Sequence, residues 1–256
     1  MKPYLSVIIP AYNEAKRLPL TLIDMDKHLS KFDFSYEIIV INDGSKDSTA
    51  EMVKRFSQVI KNLRLINNAK NHGKGWVVRQ AMLEAKGDVR LFMDSDNSVG
   101  IDQFSKMIPY LPSPKGEKGK YEIVIGSRDI PGAKLVPPQP WHKRIAGDMG
   151  NLFIQFLLLP GIWDTQCGFK AFTAEAAEKI FSKMKIEKWA LDVEALSLAK
   201  KMGYKIKEIP VIWANDSASK VKLSSYIKFL LDVVKIRWWL TIGKYDGKLD
   251  SNGKTD

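Results

Sequence analysis

The sequence predicts an α/β protein with a mostly parallel central sheet and helices on both faces. Three observations lead to this. Over the first hundred residues, short apolar and β-branched runs alternate with segments of helical spacing, which is how successive strand–helix units read. The helical segments are long enough to cross over the sheet between parallel strands. Polar clusters follow the β runs directly, where ligands sit in parallel sheets.

The elements follow in order. Residues 5–10 form a first strand, and residues 16–30 a helix with Leu18, Leu22, Met25 and Leu29 at helical spacing. Residues 36–41 are β-rich again. Residues 46–60 form a second amphipathic segment whose start Ser45 or Asp47 is able to cap. Residues 63–66 are a third strand, 75–86 a third helix ended by Gly87, and 89–93 a fourth strand. Residues 112–120, rich in Pro, Gly and Lys, read as a surface loop. Residues 121–126 read as a strand ending in Ser127-Arg128, and 130–140, with four prolines, as irregular chain. Residues 205–213 are a late strand and 223–240 a final helix. One domain is expected over residues 1–242, including a C-terminal amphipathic helix at 223–242. Residues 243–256 are expected to be a polar, disordered tail.

Composition narrows the partners. The 256 residues are 45% hydrophobic and 27% charged, ordinary for a globular chain. Lys and Arg total 40 against 29 acidic residues, a formal net charge of +11. Such a surface attracts phosphates, whether of nucleotide, nucleic acid or anionic lipid. The single Cys167 excludes an internal disulfide and suits a reducing compartment. No signal peptide is visible and no run approaches the roughly 18 apolar residues of a spanning helix. The nearest run, 152–159, contains Gln155 and stops at Pro160. The expectation is a protein that is soluble or lies on a membrane. His28, His72 and His142 are scattered and make no metal set, and Trp76, Trp163 and Trp189 read as core.

Four polar clusters carry the chemistry. They are Tyr12-Asn13-Glu14, Asn42-Asp43-Gly44-Ser45, the stretch 67–75 with Gly73-Lys74-Gly75, and Asp94-Ser95-Asp96. All should open onto one sheet edge. Asp94 and Asp96, one residue apart at a strand end, are able to share a hard divalent cation such as Mg²⁺; the alternative is a solvated, helix-capping turn. Asp43 is able to accept hydrogen bonds from a base or ribose, or simply to shape the turn. Lys74 and the amides opening its helix favour an anion, although the Gly-Lys-Ser/Thr spacing of a P-loop is absent. Arg128 and Lys220 are single basic residues among small neighbours, readable as ligands or as surface charges.

In sequence, Ser6 to Glu14, Val40 to Thr49, Asn71-His-Gly-Lys-Gly75 and Asp94-Ser-Asp96 resemble family 2 glycosyltransferases of the GT-A fold. Gly126-Ser-Arg128, Asp164 to Lys170, Lys188 to Glu194 and Ser217 to Val221 are similar to the polyprenyl-phosphate sugar synthases. Among these the dolichyl-phosphate β-glucosyltransferases are nearest and the dolichyl-phosphate mannose synthases next. The resemblance covers roughly residues 4–225. It implies an inverting, Mg²⁺- or Mn²⁺-dependent transfer of a hexose, glucose from UDP-glucose being favoured over mannose from GDP-mannose, onto a polyprenyl or dolichyl phosphate. It implies that Pro10, Tyr12, Glu14 and Asp43 hold the nucleoside. Asp94 and Ser95 would line the nucleotide pocket, and Asp96 would be the main metal ligand. Arg128 and Lys220 would meet phosphates, Arg144 would serve the acceptor side, and Asp164, Gln166 and Asp192 or Glu194 would face the sugar. Three departures stand out. Ser98 occupies the place of a metal-binding Gln in mannose synthases, Asn42 replaces the first Asp of Asp-Asp-Gly-Ser, and the long C-terminal membrane domains of some relatives are missing.

One rival is a soluble family 2 transferase acting on a glycan hydroxyl, which would need Asp192 or Glu194 as a general base. A second is a non-catalytic nucleotide- or nucleic-acid-binding protein. The paired aspartates and the lack of any nucleic-acid-binding motif argue against it, so no nucleic-acid partner is expected. The basic helix at 223–242 and the apolar segment 152–162 are candidates for peripheral docking on the cytoplasmic face of a membrane; the alternative is packing in the core or a dimer interface.

Overall fold

The computed structural model describes residues 2–138, 141–214 and 223–247. Its first half follows the predicted alternation: β1 (Leu5–Ala11), α1 (Leu18–Leu29), β2 (Tyr36–Asp43), α2 (Thr49–Phe56), β3 (Leu63–Asn68), α3 (Lys74–Glu84) and β4 (Val89–Met93). Two 3-10 segments, Ile101–Lys106 and Ile108–Tyr110, lead to β5 (Ile123–Ser127), β6 (Lys134–Val136) and α4 (Trp141–Leu157). Then come β7 (Phe169–Thr173), α5 (Ala174–Lys183), α6 (Leu191–Lys201), β8 (Ile206–Pro210), β9 (Ile212–Ala214) and α7 (Leu223–Thr241).

Seven strands form one sheet in the order β3-β2-β1-β4-β7-β5-β8. Every neighbour pair is parallel except the two that involve β7. The order reverses between β1 and β4, and such a switch point leaves a crevice at the carboxyl ends of the strands. Side chains of the inner strands alternate between two cores. Ile8, Ile39 and Ile41 pack with residues of α3, α5, α6 and α7. Val7, Ile9, Ile38 and Val40 pack with α1 and the 3-10 segments. Both faces are covered, as the apolar β runs require.

Three sequence expectations change. Residues 130–140 are not wholly irregular, because β6 pairs in parallel with β9. The late strand at 205–213 is two strands in two different sheets. The fold also continues past residue 242: Tyr245 is 1% exposed, Lys183 donates to its carbonyl at 2.8 Å, and Lys201 pairs with Asp246 at 2.6 Å. Among the described residues no helix is long and apolar enough to cross a membrane.

Candidate active site

The polar strand ends converge. A cleft of about 750 Å³ is lined by Pro10 near the end of β1 and Tyr12 and Glu14 after it, Asp43 at the end of β2, Lys74 at the start of α3, and Asp94, Ser95 and Asp96 after β4. Local backbone explains how. Asn13, Gly44 and Asn97 each adopt a positive φ, of 56°, 65° and 57°. That left-handed conformation turns the chain back at the strand end, and Gly and Asn tolerate it best. At Gly44 no other residue fits, because a Cβ would stand 2.4 Å from the Lys70 carbonyl carbon. The turns are cross-tied: Asn13 N–H donates to Ser45 Oγ at 2.9 Å, and Lys46 N–H donates to Asn13 Oδ1 at 2.8 Å. Asp47, rather than Ser45, serves the start of α2, accepting from Thr49 N–H at 3.0 Å.

Asp43 is buried, and its two oxygens accept the amides of His72 at 2.7 Å and Gly73 at 2.9 Å. It therefore shapes the loop before α3 while lining the cleft. Lys74, beside that loop, pairs with Asp94 Oδ1 at 2.5 Å. Burial opposes the charge on Lys74, but Asp94, Asp192 and Asp96 outweigh it and raise its pKa. The Trp76 amide, in the first turn of α3, donates to the Glu187 carbonyl at 3.1 Å. Asp94 packs against Gly168, where a Cβ would lie 2.0 Å from Oδ2. Asp96 is held differently: Oδ1 accepts Ser98 N–H at 3.0 Å, and Oδ2 stands 4.0 Å from Arg17 Nη1. Arg17 is itself engaged by Glu14 through Nε at 2.8 Å.

β7 supplies the opposite wall. Because it runs antiparallel to β4, its first residues lie beside the end of β4, and Asp94 N–H donates to the Gly168 carbonyl at 3.1 Å. The turn before β7 is organised by Asp164, which is 2% exposed. Arg128 grips it through Nε at 2.7 Å and Nη2 at 2.9 Å, a bidentate fork. Burial works to raise the Asp164 carboxyl, but Arg128 and the amide hydrogen bonds prevail and bring it down to about 2. Asp164 therefore orients Arg128, and Gln166 and Gly168 are the residues of this turn that line the cleft. On α6, Asp192 forms a buried ion pair with Lys170 at 2.8 Å. Glu194 lies outside the cleft lining and accepts from the amides of Lys185 and Ile186 and from the Tyr245 hydroxyl. Residues two apart on a helix point nearly opposite ways, so these two carboxylates could not share one site.

The profile of glycosyl transferase family 2 matches residues 6–181. The chain belongs to that family. This transferase is 42% identical to a dolichyl-phosphate β-glucosyltransferase of Dictyostelium discoideum, covering 94% of this chain and 76% of that one. It is 34% identical to the human dolichyl-phosphate β-glucosyltransferase, over 91% and 74% of the two chains. Among solved structures it is similar to the mannosyltransferase PcManGT of Pyrobaculum calidifontis in complex with GDP-Man and Mn²⁺ (TM-score 0.60, 18% identity, 97% of this chain and 66% of that). It is also similar to glucosyl-3-phosphoglycerate synthase of Mycobacterium tuberculosis (TM-score 0.63, 16% identity, 92% and 78%). These structural likenesses bear out the GT-A fold.

Sequence reasoning missed several residues of the transferase's cleft. Arg17, Lys188, Trp189 and Trp213 all line it. Trp189 is not core but 63% exposed, with Lys74 Nζ 5.7 Å from its ring; Trp163 is also exposed. Trp213, on β9, stacks behind Arg128 at 5.5 Å. An exposed Trp beside a basic residue reads in sequence like any core Trp, so only the neighbouring Lys188 hinted at the surface. Arg144 falls within α4, but its side chain lies outside the described residues, as does Lys220 with the whole segment 215–222.

Proposed function

We propose that this transferase moves glucose from UDP-glucose onto dolichyl or another polyprenyl phosphate, with inversion at the sugar C1. One observation carries the reading: the carboxylates at and around the cleft are committed elsewhere. Asp43 holds amides, Asp94 faces Lys74, Glu14 faces Arg17, Asp164 faces Arg128 and Asp192 faces Lys170. Asp96 remains, and its place suits a cation. A hydroxyl acceptor would need a general base. A phosphate monoester, whose second pKa is about 6, is a charged nucleophile at neutral pH without one. The names of the similar relatives support the same acceptor and sugar, and Ser98 in place of a metal-binding Gln supports glucose over mannose.

The reaction is one displacement. An acceptor phosphate oxygen attacks C1, the bond from C1 to the diphosphate oxygen breaks, and its electron pair leaves with the nucleoside diphosphate. In-line attack on an α-linked donor gives a β-linked product. The described cleft lining is balanced, with Arg17, Lys74, Arg128 and Lys188 against Glu14, Asp43, Asp94 and Asp96. A diphosphate would add negative charge, so a divalent cation fits: Asp96 would hold it, with Asp94 beside it, and when bound it would neutralise the leaving diphosphate. Arg128, fixed by Asp164, presents a positive charge to the phosphates, and Lys74 keeps Asp94 from repelling them. Trp189 and Trp213 offer flat apolar faces to base or sugar.

The acceptor's lipid tail requires a bilayer surface. On α4, Met149, Leu152, Phe153 and Phe156 are exposed, Phe156 at 85%. On α7, Ile227, Leu231, Val234 and Trp238 are exposed at helical spacing, with Ile242 exposed just past its end, while Phe229, Val233 and Ile236 enter the core. Lys228, Lys235 and Arg237 lie among them. This arrangement suits peripheral docking on an anionic, cytoplasmic leaflet, and a single buried thiol accords with that reducing side.

The test combines donors and metal. With polyprenyl phosphate present, UDP-glucose should turn over faster than GDP-mannose, EDTA should stop turnover, and Mg²⁺ or Mn²⁺ should restore it. Asp96→Ala should lower kcat by roughly 100-fold or more, the scale of removing one transition-state charge stabiliser, while remaining folded. Full activity in excess EDTA would refute the metal, and preference for GDP-mannose would refute the sugar.

A further inference from the structure

Glu194 does nothing in the proposed chemistry, yet it is fully buried and elaborately satisfied. Its Oε1 accepts the Lys185 amide at 2.8 Å and the Tyr245 hydroxyl at 2.7 Å, and its Oε2 accepts the Ile186 amide at 2.9 Å. A buried carboxylate is costly relative to an apolar residue of similar size, so such a group is best understood by what it fixes. Two consecutive amides converging on one carboxylate fix the direction in which the chain leaves residue 186. The next residues enter the cleft wall. Glu187 accepts the Trp76 amide at 3.1 Å, and Lys188 and Trp189 line the cleft. From the far side, Gly73 and Gly75 permit the contact: a Cβ on either would stand 2.5 Å from Glu187 O or 2.4 Å from Ile186 O.

Tyr245 reaches this carboxylate from beyond α7. It is 1% exposed, its carbonyl accepts Lys183 Nζ at 2.8 Å, and its ring meets Trp239 edge-on at 6.0 Å. Asp246 next to it pairs with Lys201 at 2.6 Å. The end of α7 is thus hooked onto the back of the loop that walls the cleft.

We propose that Glu194 and Tyr245 are positioning residues that set loop 185–189, and with it Lys188 and Trp189, against the nucleotide sugar. The proposal rests on reading the cleft as the nucleotide-sugar site. It makes donor binding depend on the turn that follows α7 and on how α7 is seated.

The test uses the full chain with Tyr245→Phe and Glu194→Gln. Tyr245→Phe should raise the KM for UDP-glucose at least threefold, leave the KM for polyprenyl phosphate within twofold, and change kcat little. Burial raises the Glu194 carboxyl, and the Lys185 and Ile186 amides, the Tyr245 hydroxyl and the charge of Arg79 on α3 work to lower it, so losing the hydroxyl should raise it further. The part of the acid limb of kcat/KM for the donor that Glu194 sets should therefore move to higher pH in Tyr245→Phe and be lost in Glu194→Gln, leaving the part set by the acceptor phosphate. A purely structural contact would lower the folded fraction without moving either quantity. An unchanged donor KM with an unmoved acid limb overturns the proposal. If Tyr245→Phe does not fold, Lys201→Ala, which cuts the surface tether of the same hook, should raise the donor KM, and no rise overturns the proposal. A wild type that uses GDP-mannose instead refutes the glucose reading alone, and the same variants are then read with GDP-mannose.

Discussion

Asp94 and Asp96 stand one residue apart, yet Asp94 is neutralised by Lys74 and Asp96 faces the cleft with Arg17 Nη1 4.0 Å away. That division was invisible in the sequence, which shows charges but not partners. The same holds for Arg128 and Asp164, 36 residues apart. Sequence reasoning placed both near the substrate, whereas the fold makes Asp164 the anchor of Arg128. The anchor has a measurable signature. The Asp164 carboxyl lies below its ordinary 3.8, at about 2. A depressed pKa stabilises the fold above the unfolded value and loses that contribution as pH falls through the folded one. Wild type should thus lose on the order of 2 kcal/mol from this group as pH drops from about 4 to about 2. Asp164→Asn should be less stable than wild type near neutral pH, with the gap closing across that window. Urea unfolding at several pH values checks this, and a gap constant with pH would show that the pair does not stabilise the folded state.

Elements were legible where their periodicity was clean. α1 showed its apolar face in Leu18, Leu22, Met25 and Leu29, all fully buried, and its limits fell within two residues of the expected range. α6 was missed for a physical reason: Leu191 to Ala199 are buried on every side, Asp192 and Glu194 included, so no polar face marks the helix. β7 was hidden inside a motif read only for its polar residues. α5 had a usable signal, since the Thr173 hydroxyl accepts the Ala176 amide at its start. The outer faces of α4 and α7 were expected either to bury or to meet a membrane; the structure buries one side of each and leaves the other exposed. Changing Lys228, Lys235 and Arg237 to Glu should release the protein from anionic liposomes, each basic residue contributing about 1 kcal/mol of attraction. Equal flotation of wild type and variant would remove the basic contribution, and flotation by neither would remove the membrane face.

At the scale of the molecule, the first half of the chain predicted both the sheet and the place of its cleft. Parallel strands separated by crossover helices leave their carboxyl ends on one edge, and turn residues there have positive φ. The second half inserts an antiparallel strand and returns α7 to the back of the cleft, long-range packing that no local pattern announces. The central claim is that the transferase needs no general base because its acceptor is already a phosphate. The most direct measurement supplies UDP-glucose with three acceptors in turn: polyprenyl phosphate, the matching polyprenol, and a soluble glycan. Products are read by mass spectrometry. The account predicts a hexosyl phosphate lipid from the first and no product from the others. Transfer to the polyprenol or the glycan hydroxyl at a comparable rate would contradict it.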